Sequence, residues 1–286
     1  AMLSLVLALL PAVAGAAQPP MEAPRAGERI LVVSPHPDDE TLCCAGYIQQ
    51  AVRAGAQVSI AWLTAGDGFE LDALLVEHHL RLKGLGMRRL GAQRMDEARA
   101  AGERMAVPAA NMYLLGYPDR GLGALLAANQ ASPWRSPYTE TSAIPYLRVL
   151  APGAPYTGAS LERDFATVLA AAQPTLILVS APEELHPDHA AAPRLVERVL
   201  AARGLHIPVR YYLIHAGRDW PAPRGLHPEL ELTPPPTAAT RTWQSFELTP
   251  ELREGKRITL EAHRSQLEIM RPFLDSFVRR NELFAQ

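Results

Sequence analysis

Five stretches of nearly continuous apolar character punctuate the chain: "RILVVSP" (29–35), "QVSIAWLT" (57–64), "NMYLLG" (111–116), "PTLILVSA" (174–181) and "VRYYLIH" (209–215). Runs this short that lack polar alternation predict strands buried on both faces, and strands of that kind belong to parallel sheets. Between them, apolar positions recur at helical spacing over 41–54, 71–85 together with 94–105, 161–172 and 187–203. The βαβ rhythm predicts an α/β, Rossmann-like three-layer fold with a mostly parallel central sheet, in which ligands bind at the carboxyl ends of the strands. Two segments break it. Residues 117–160, rich in Pro, Gly, Ser and Tyr, and the proline-rich residues 216–240 are expected to be long active-site loops. After them "TRTWQSFEL" (240–248) reads as one more strand, followed by helices to the end. With no internal repeat, residues 28–286 are expected to form a single domain.

Composition narrows the function. A chain of 286 residues, 48% hydrophobic, can bury a sizeable core. Its net charge of -2 and its scattered basic residues exclude a nucleic-acid partner, which would need a basic stripe. Lys83 and Lys256 are the only lysines, so a Schiff-base mechanism is unattractive. At the N-terminus, residues 2–14 are apolar but too short to span a bilayer, and Ala14, Gly15, Ala16 and Ala17 fit a cleavage site. Residues 1–20 therefore read as a secretory signal, which implies a secreted or periplasmic protein. The alternative is a hydrophobic segment packed on the domain or resting on a membrane, the one membrane contact expected. Cys43 and Cys44 are adjacent on a predicted helix, where a disulfide is geometrically awkward, and are read as packing residues.

The candidate chemistry lies where the strands end, in "HPDDE", "TAGDGFE", "YPDRG", "PEELHPDH" and "HAGRDW". The first turn lacks G-x-G-x-x-G, which sets a dinucleotide site aside. Two turns share a pattern, His36-Pro37-Asp38-Asp39 and His186-Pro187-Asp188-His189. Either alone also makes a good helix N-terminus, with proline in the first turn and carboxylates at the positive end of the dipole. Two of them, each with a histidine ahead of the proline, can meet across one crevice and supply two imidazoles and a carboxylate. Three protein ligands with a water in the open position is the arrangement of a catalytic zinc site, and a neighbouring carboxylate can take that water's proton. Adjacent aspartates suit this division. Glu40 is expected only to favour the helix start.

The strand followed by "PHPDDE", with "HPDH" about 150 residues later, resembles the PIG-L/LmbE family of zinc-dependent N-acetylglucosamine deacetylases over roughly residues 28–205. The resemblance implies that His36, Asp39 and His189 hold one Zn2+ per chain, or another divalent metal. It further implies that Asp38 is the general base, that His186 polarises the carbonyl or stabilises the oxyanion, and that Asp188 orients His186. The reaction implied is hydrolysis of the amide of an N-acetylated amino sugar, a glycan or glycoconjugate, by water that Asp38 deprotonates. Asp67, Asp119, Arg120, His215 and Trp220 follow strand ends and are candidate substrate contacts, Trp220 as a stacking face. His78, His79, His206, His227 and His263 read as surface or packing histidines. Two other readings stay open: a non-haem iron oxygenase using the same His/Asp/His triad, and an inactive carbohydrate-binding protein of the same fold.

Overall fold

The computed structural model describes residues 18–68 and 83–286. The apolar N-terminal run, most of the helix expected over 71–85, and His78 and His79 lie outside the described residues. The elements are β1 (Arg29–Ser34), α1 (Asp39–Arg53), β2 (Gln57–Thr64), α2 (Leu85–Arg104), β3 (Met112–Tyr117), α3 (Leu122–Ala127), α4 (Gly158–Ala172), β4 (Leu176–Ser180), α5 (Pro187–Arg203), β5 (Val209–Tyr212), β6 (Trp243–Glu247), α6 (Pro250–Leu260), α7 (Arg264–Asp275) and β7 (Asn281–Ala285). Among the described residues no helix is long and apolar enough to cross a membrane.

The strands form one seven-stranded sheet in the order β3-β2-β1-β4-β5-β7-β6. The five strands read as parallel are parallel: β1 runs beside β2 from Arg29 opposite Gln57 to Ser34 opposite Trp62, and beside β4 from Ile30 opposite Leu176. Leu31, Val32 and Val33 are wholly buried, because β1 has a strand on each side and helices over both faces. Helices α1, α2, α6 and α7 pack among themselves, as do α3, α4 and α5, giving the two outer layers. From β1 the chain winds out to β2 and β3 on one side, then returns to β4 and β5 on the other. Their carboxyl ends therefore open a crevice between the first and second His-Pro-Asp turns, at the point where the winding reverses.

Helix starts follow local chemistry. Pro187 opens α5 behind the His186 cap, and Gly204 closes it at φ 63°. The Thr157 side chain accepts the Ser160 N–H at 3.1 Å, which starts α4 three residues before the apolar pattern suggests.

Three expectations are corrected. The C-terminal tail ends in a strand: β7 pairs antiparallel with both β5 and β6, and all five of its residues are buried. Five residues without alternation carry no periodic signal, so the pairing decides them. Residues 117–160 are not all loop but include α3. Cys43 and Cys44 are joined as a vicinal disulfide, both still buried in the core.

Candidate active site

Each wall of the crevice begins where a buried strand runs out. At the end of β1 the backbone turns sharply into α1. Asp38 caps this helix at φ 129°, a conformation that costs a non-glycine residue about 1–3 kcal/mol, and its side chain caps nothing. The carboxylate that an ordinary helix cap would spend on N–H groups therefore faces the crevice. Glu40 keeps the turn in place: buried completely, it accepts the Asp38 N–H at 3.1 Å and the Trp62 indole N–H at 2.8 Å, and its other oxygen meets Thr41 and His263. Glu40 thus does more than favour the helix start, and His263, read from sequence as a surface or packing histidine, is its buried counter-ion.

His36, Asp39 and His189 come together at the floor. His36 Nδ1 lies 3.1 Å from His189 Nε2 and 3.3 Å from Asp39 Oδ2, and the last two atoms are 3.1 Å apart. Three atoms bound to one tetrahedral zinc at about 2.0–2.1 Å would be spaced by about 3.3 Å. Three lone pairs aimed at one point repel unless a proton or a cation lies between them, so the donor set fits a divalent metal. His186 and His215 crowd the same region, forming with these residues the sets His36–His186–His189 and Asp39–His189–His215, whose ligand atoms lie within 4.8 Å of one another.

Carboxylates behind the imidazoles set their orientation. Asp188 Oδ2 meets His36 Nε2 at 3.2 Å and the Arg120 N–H at 2.5 Å, while Oδ1 accepts the Leu122 N–H at 3.0 Å. An Nε2–H donated to Asp188 leaves the Nδ1 lone pair of His36 facing the floor. The Asp188 carboxylate therefore orients His36, whereas the sequence led to the expectation that it serves His186, which it reaches only through its backbone N–H. Glu184, unremarked in the sequence, stands 3.7 Å from His189 Nδ1 and is tied down by the Ile214 and His215 N–H groups. Burial disfavours protonated His36 and His189, but the surrounding carboxylates outweigh it and raise both, His189 to about 9. Burial raises Asp39, yet the two histidines hold its carboxyl well below the usual range.

Asp38 is 6% exposed. Burial pushes its carboxyl up to about 7, against the pull of Arg94 and with the help of Asp39. Arg94, a residue of α2 that carried no motif in the sequence, donates to Asp38 Oδ2 at 3.2 Å and to the carbonyls of Gly66 and Pro37 at 2.8 Å. His186 lines the crevice. Its Nδ1 accepts the Asp188 N–H at 3.3 Å, which in the neutral ring places the proton on Nε2, 3.9 Å from Asp119 Oδ1. Burial, followed by the neighbouring His36 and His189, lowers His186 far below the ordinary histidine range, so the ring is neutral.

The candidate substrate contacts separate into two groups. Asp119, Arg120 and His215 line the cavity, and Asp119 Oδ1 is 3.3 Å from His36 Nε2. Asp67 lies beneath it, accepting the Asp119 N–H at 3.0 Å and the Tyr146 hydroxyl at 2.6 Å. Asp67 thus supports Asp119, and Tyr146 ties the 117–160 segment to the site. Trp220 does not line this cavity: its indole N–H donates to the Thr233 carbonyl and its ring packs edge-on against Phe277. Among the described residues, Phe273 of α7 contributes a phenyl ring to the cavity lining.

The family model described as PIG-L, GlcNAc-PI de-N-acetylase, matches residues 31–200. A 1D-myo-inositol 2-acetamido-2-deoxy-alpha-D-glucopyranoside deacetylase of Nakamurella multipartita is 34% identical over 108 residues, 36% of this chain and 32% of that protein. The chain thus spans about a third of the length of the curated relatives it matches. Among solved structures, the A40926 pseudoaglycone deacetylase Dbv21 superposes with a TM-score of 0.58 at 19% identity, covering 90% of this chain and 96% of that one. The N,N'-diacetylchitobiose deacetylase of Pyrococcus horikoshii superposes with a TM-score of 0.53 at 19% identity, covering 89% and 82%. These structures share the fold. With a family model covering more than half its length, including both His-Pro-Asp turns, the chain belongs to the PIG-L family.

Proposed function

We propose that the protein hydrolyses the acetamide of an N-acetylated amino sugar, with one zinc ion held by His36, Asp39 and His189. The observation that carries this reading is the triangle of His36 Nδ1, Asp39 Oδ2 and His189 Nε2, 3.1–3.3 Å on a side, with the Asp38 carboxyl beside it. The names of the Nakamurella relative and the Pyrococcus neighbour, both deacetylases of N-acetylated sugars, support the same class.

A divalent metal at this point would polarise the amide carbonyl and acidify the attacking water. Asp38 takes the proton from that water, and a carboxyl raised to about 7 is matched to this task near neutral pH. The backbone strain at Asp38 and the Glu40 bond to its N–H hold the carboxylate in the crevice. His186 offers its Nε2–H to the developing oxyanion. Asp38, once protonated, returns the proton to the departing amine. Asp188 keeps His36 in the tautomer that the metal needs, and Arg94, Asp119 and Arg120 supply polar partners for sugar hydroxyls.

The test is acetate release from a panel of N-acetylated monosaccharides, oligosaccharides and glycolipids by zinc-loaded protein, alongside metal analysis. About one divalent ion per chain and acetate from at least one substrate are expected. Metal binding without acetate from any member would overturn the hydrolase reading, and failure to bind any divalent metal would overturn the site.

A further inference from the structure

The cavity over the site, about 340 Å³ in volume, is lined by both polar and apolar side chains. His186 and His215 join the acids and arginines already described, and Leu42, Ile214, Ile269, Met270 and Phe273 supply the apolar part, which we call its apolar wall. Leu42 and Ile214 are buried, whereas Ile269, Met270 and Phe273 are half-buried. The last three come from α7, which departs from helical geometry at Met270 and carries Pro272. An amphipathic helix ordinarily turns one apolar face to the core and leaves the other polar. Here α7 buries Leu267 and Leu274 in the core and still presents partly exposed apolar side chains to the cavity.

A second depression shares Met270 and Phe273 with the cavity and reaches Leu185, 72% exposed, between the side chains of Arg120, Arg218 and Arg224. The Phe273 ring stacks on His215 at 5.8 Å. The Arg224 guanidinium covers the Phe273 ring at 4.6 Å. A hydroxylated sugar needs a polar partner for each hydroxyl it buries, and this wall provides side chains that neither donate nor accept. One acetyl methyl would cover only a small part of it.

We infer that the substrate carries an apolar group, an alkyl chain or an aromatic ring, that lies against Ile269, Met270 and Phe273. It can be attached as the amide's acyl group or as the aglycone. The inference rests on the deacetylase reading above and extends it to the substrate's class.

The experiment compares kcat/KM for amine release by the zinc-loaded protein from N-acetylglucosamine, hexyl N-acetylglucosaminide and N-hexanoylglucosamine. Burial of a methylene is worth about fourfold, so one hexyl compound is expected to exceed N-acetylglucosamine by about tenfold or more. The preferred hexyl compound identifies the source, aglycone or acyl group. Phe273→Ser and Met270→Ser are each expected to reduce that preference at least about threefold. Both hexyl compounds at or below N-acetylglucosamine, or a preference unmoved by both substitutions, would overturn the inference. Should none of the three be hydrolysed, the deacetylase reading fails separately. The wall is then judged by calorimetry: hexyl N-acetylglucosaminide that binds no tighter than N-acetylglucosamine overturns it, and tighter binding lost in Phe273→Ser upholds it.

Discussion

Replacing Asp38 with asparagine separates the two consequences of burying a carboxyl group at this turn. Asparagine has the shape of the protonated acid, tolerates a positive φ, and can still accept from Arg94 Nη2, now 3.2 Å from Asp38 Oδ2. It cannot take a proton. A positioned general base is worth about 10²–10⁴ in rate, so kcat for the zinc-loaded variant should fall by that factor with metal content unchanged. Stability should move the other way. A carboxyl that titrates at about 7 when folded and at 3.8 when unfolded costs the fold on the order of 4 kcal/mol at pH 7. The sign follows from the proton count. Between the two values the folded state holds the proton that the unfolded state has lost, so wild-type stability falls as pH rises from about 4 to about 7. The asparagine variant lacks this loss. In chelator-treated protein the melting temperatures of wild type and variant should be close at pH 4 and should diverge by roughly 5–10 °C in the variant's favour at pH 8. A kcat loss of less than tenfold would refute Asp38 as the base. A temperature gap that does not change with pH would refute the burial argument.

Asp188→Asn and Glu184→Gln weaken the groups that orient His36 and His189, and each should reduce zinc affinity about 10–100-fold in a chelator competition assay while the fold persists. Glu282→Ala should destabilise the protein by about 3–5 kcal/mol in urea unfolding, because Lys256 is 1% exposed and would lose the charged partner it pairs with at 2.8 Å. Lys256 donates to the Leu42 carbonyl and Glu282 accepts the Gly46 N–H, the two groups a regular helix pairs with each other, so circular dichroism should also report loosening of α1. His263→Ala removes the counter-ion of Glu40, 3.2 Å away and fully buried, and should lower kcat more than it alters metal affinity, measured by the same two assays.

The sequence alone determined the five parallel strands of the sheet and marked the turns that carry the candidate chemistry. Strands β1, β2 and β4 are buried on both faces, so their apolar runs are unbroken and stand out from the helices between them, while β5 is half-buried over three of its four residues. The two His-Pro-Asp turns could be singled out because identical residue types recur at strand ends, and a doubly wound sheet gathers those ends at one edge, while the choice of His36, Asp39 and His189 among their residues came from the family resemblance. Strand β7 could not be read the same way, since five residues acquire strand structure only by pairing with β5 and β6.

Tertiary packing decided which group serves which partner. Arg94 has no motif and reaches Asp38 only because α2 packs beside the crevice. Asp188 follows His186 in the chain, yet its carboxylate turns to His36 across the switch point, 152 residues away in sequence. Trp220 looked suited to stack on a sugar, but its bond to the Thr233 carbonyl and its edge contact with Phe277 place it away from the cavity, which Phe273 lines. The apolar wall is hidden from local reading for the same reason. Its residues come from α1, the end of β5 and α7, and nothing in their local spacing records that they meet. Local sequence sets the chemistry a residue can offer, while long-range packing sets its neighbours, its dielectric surroundings and therefore its role.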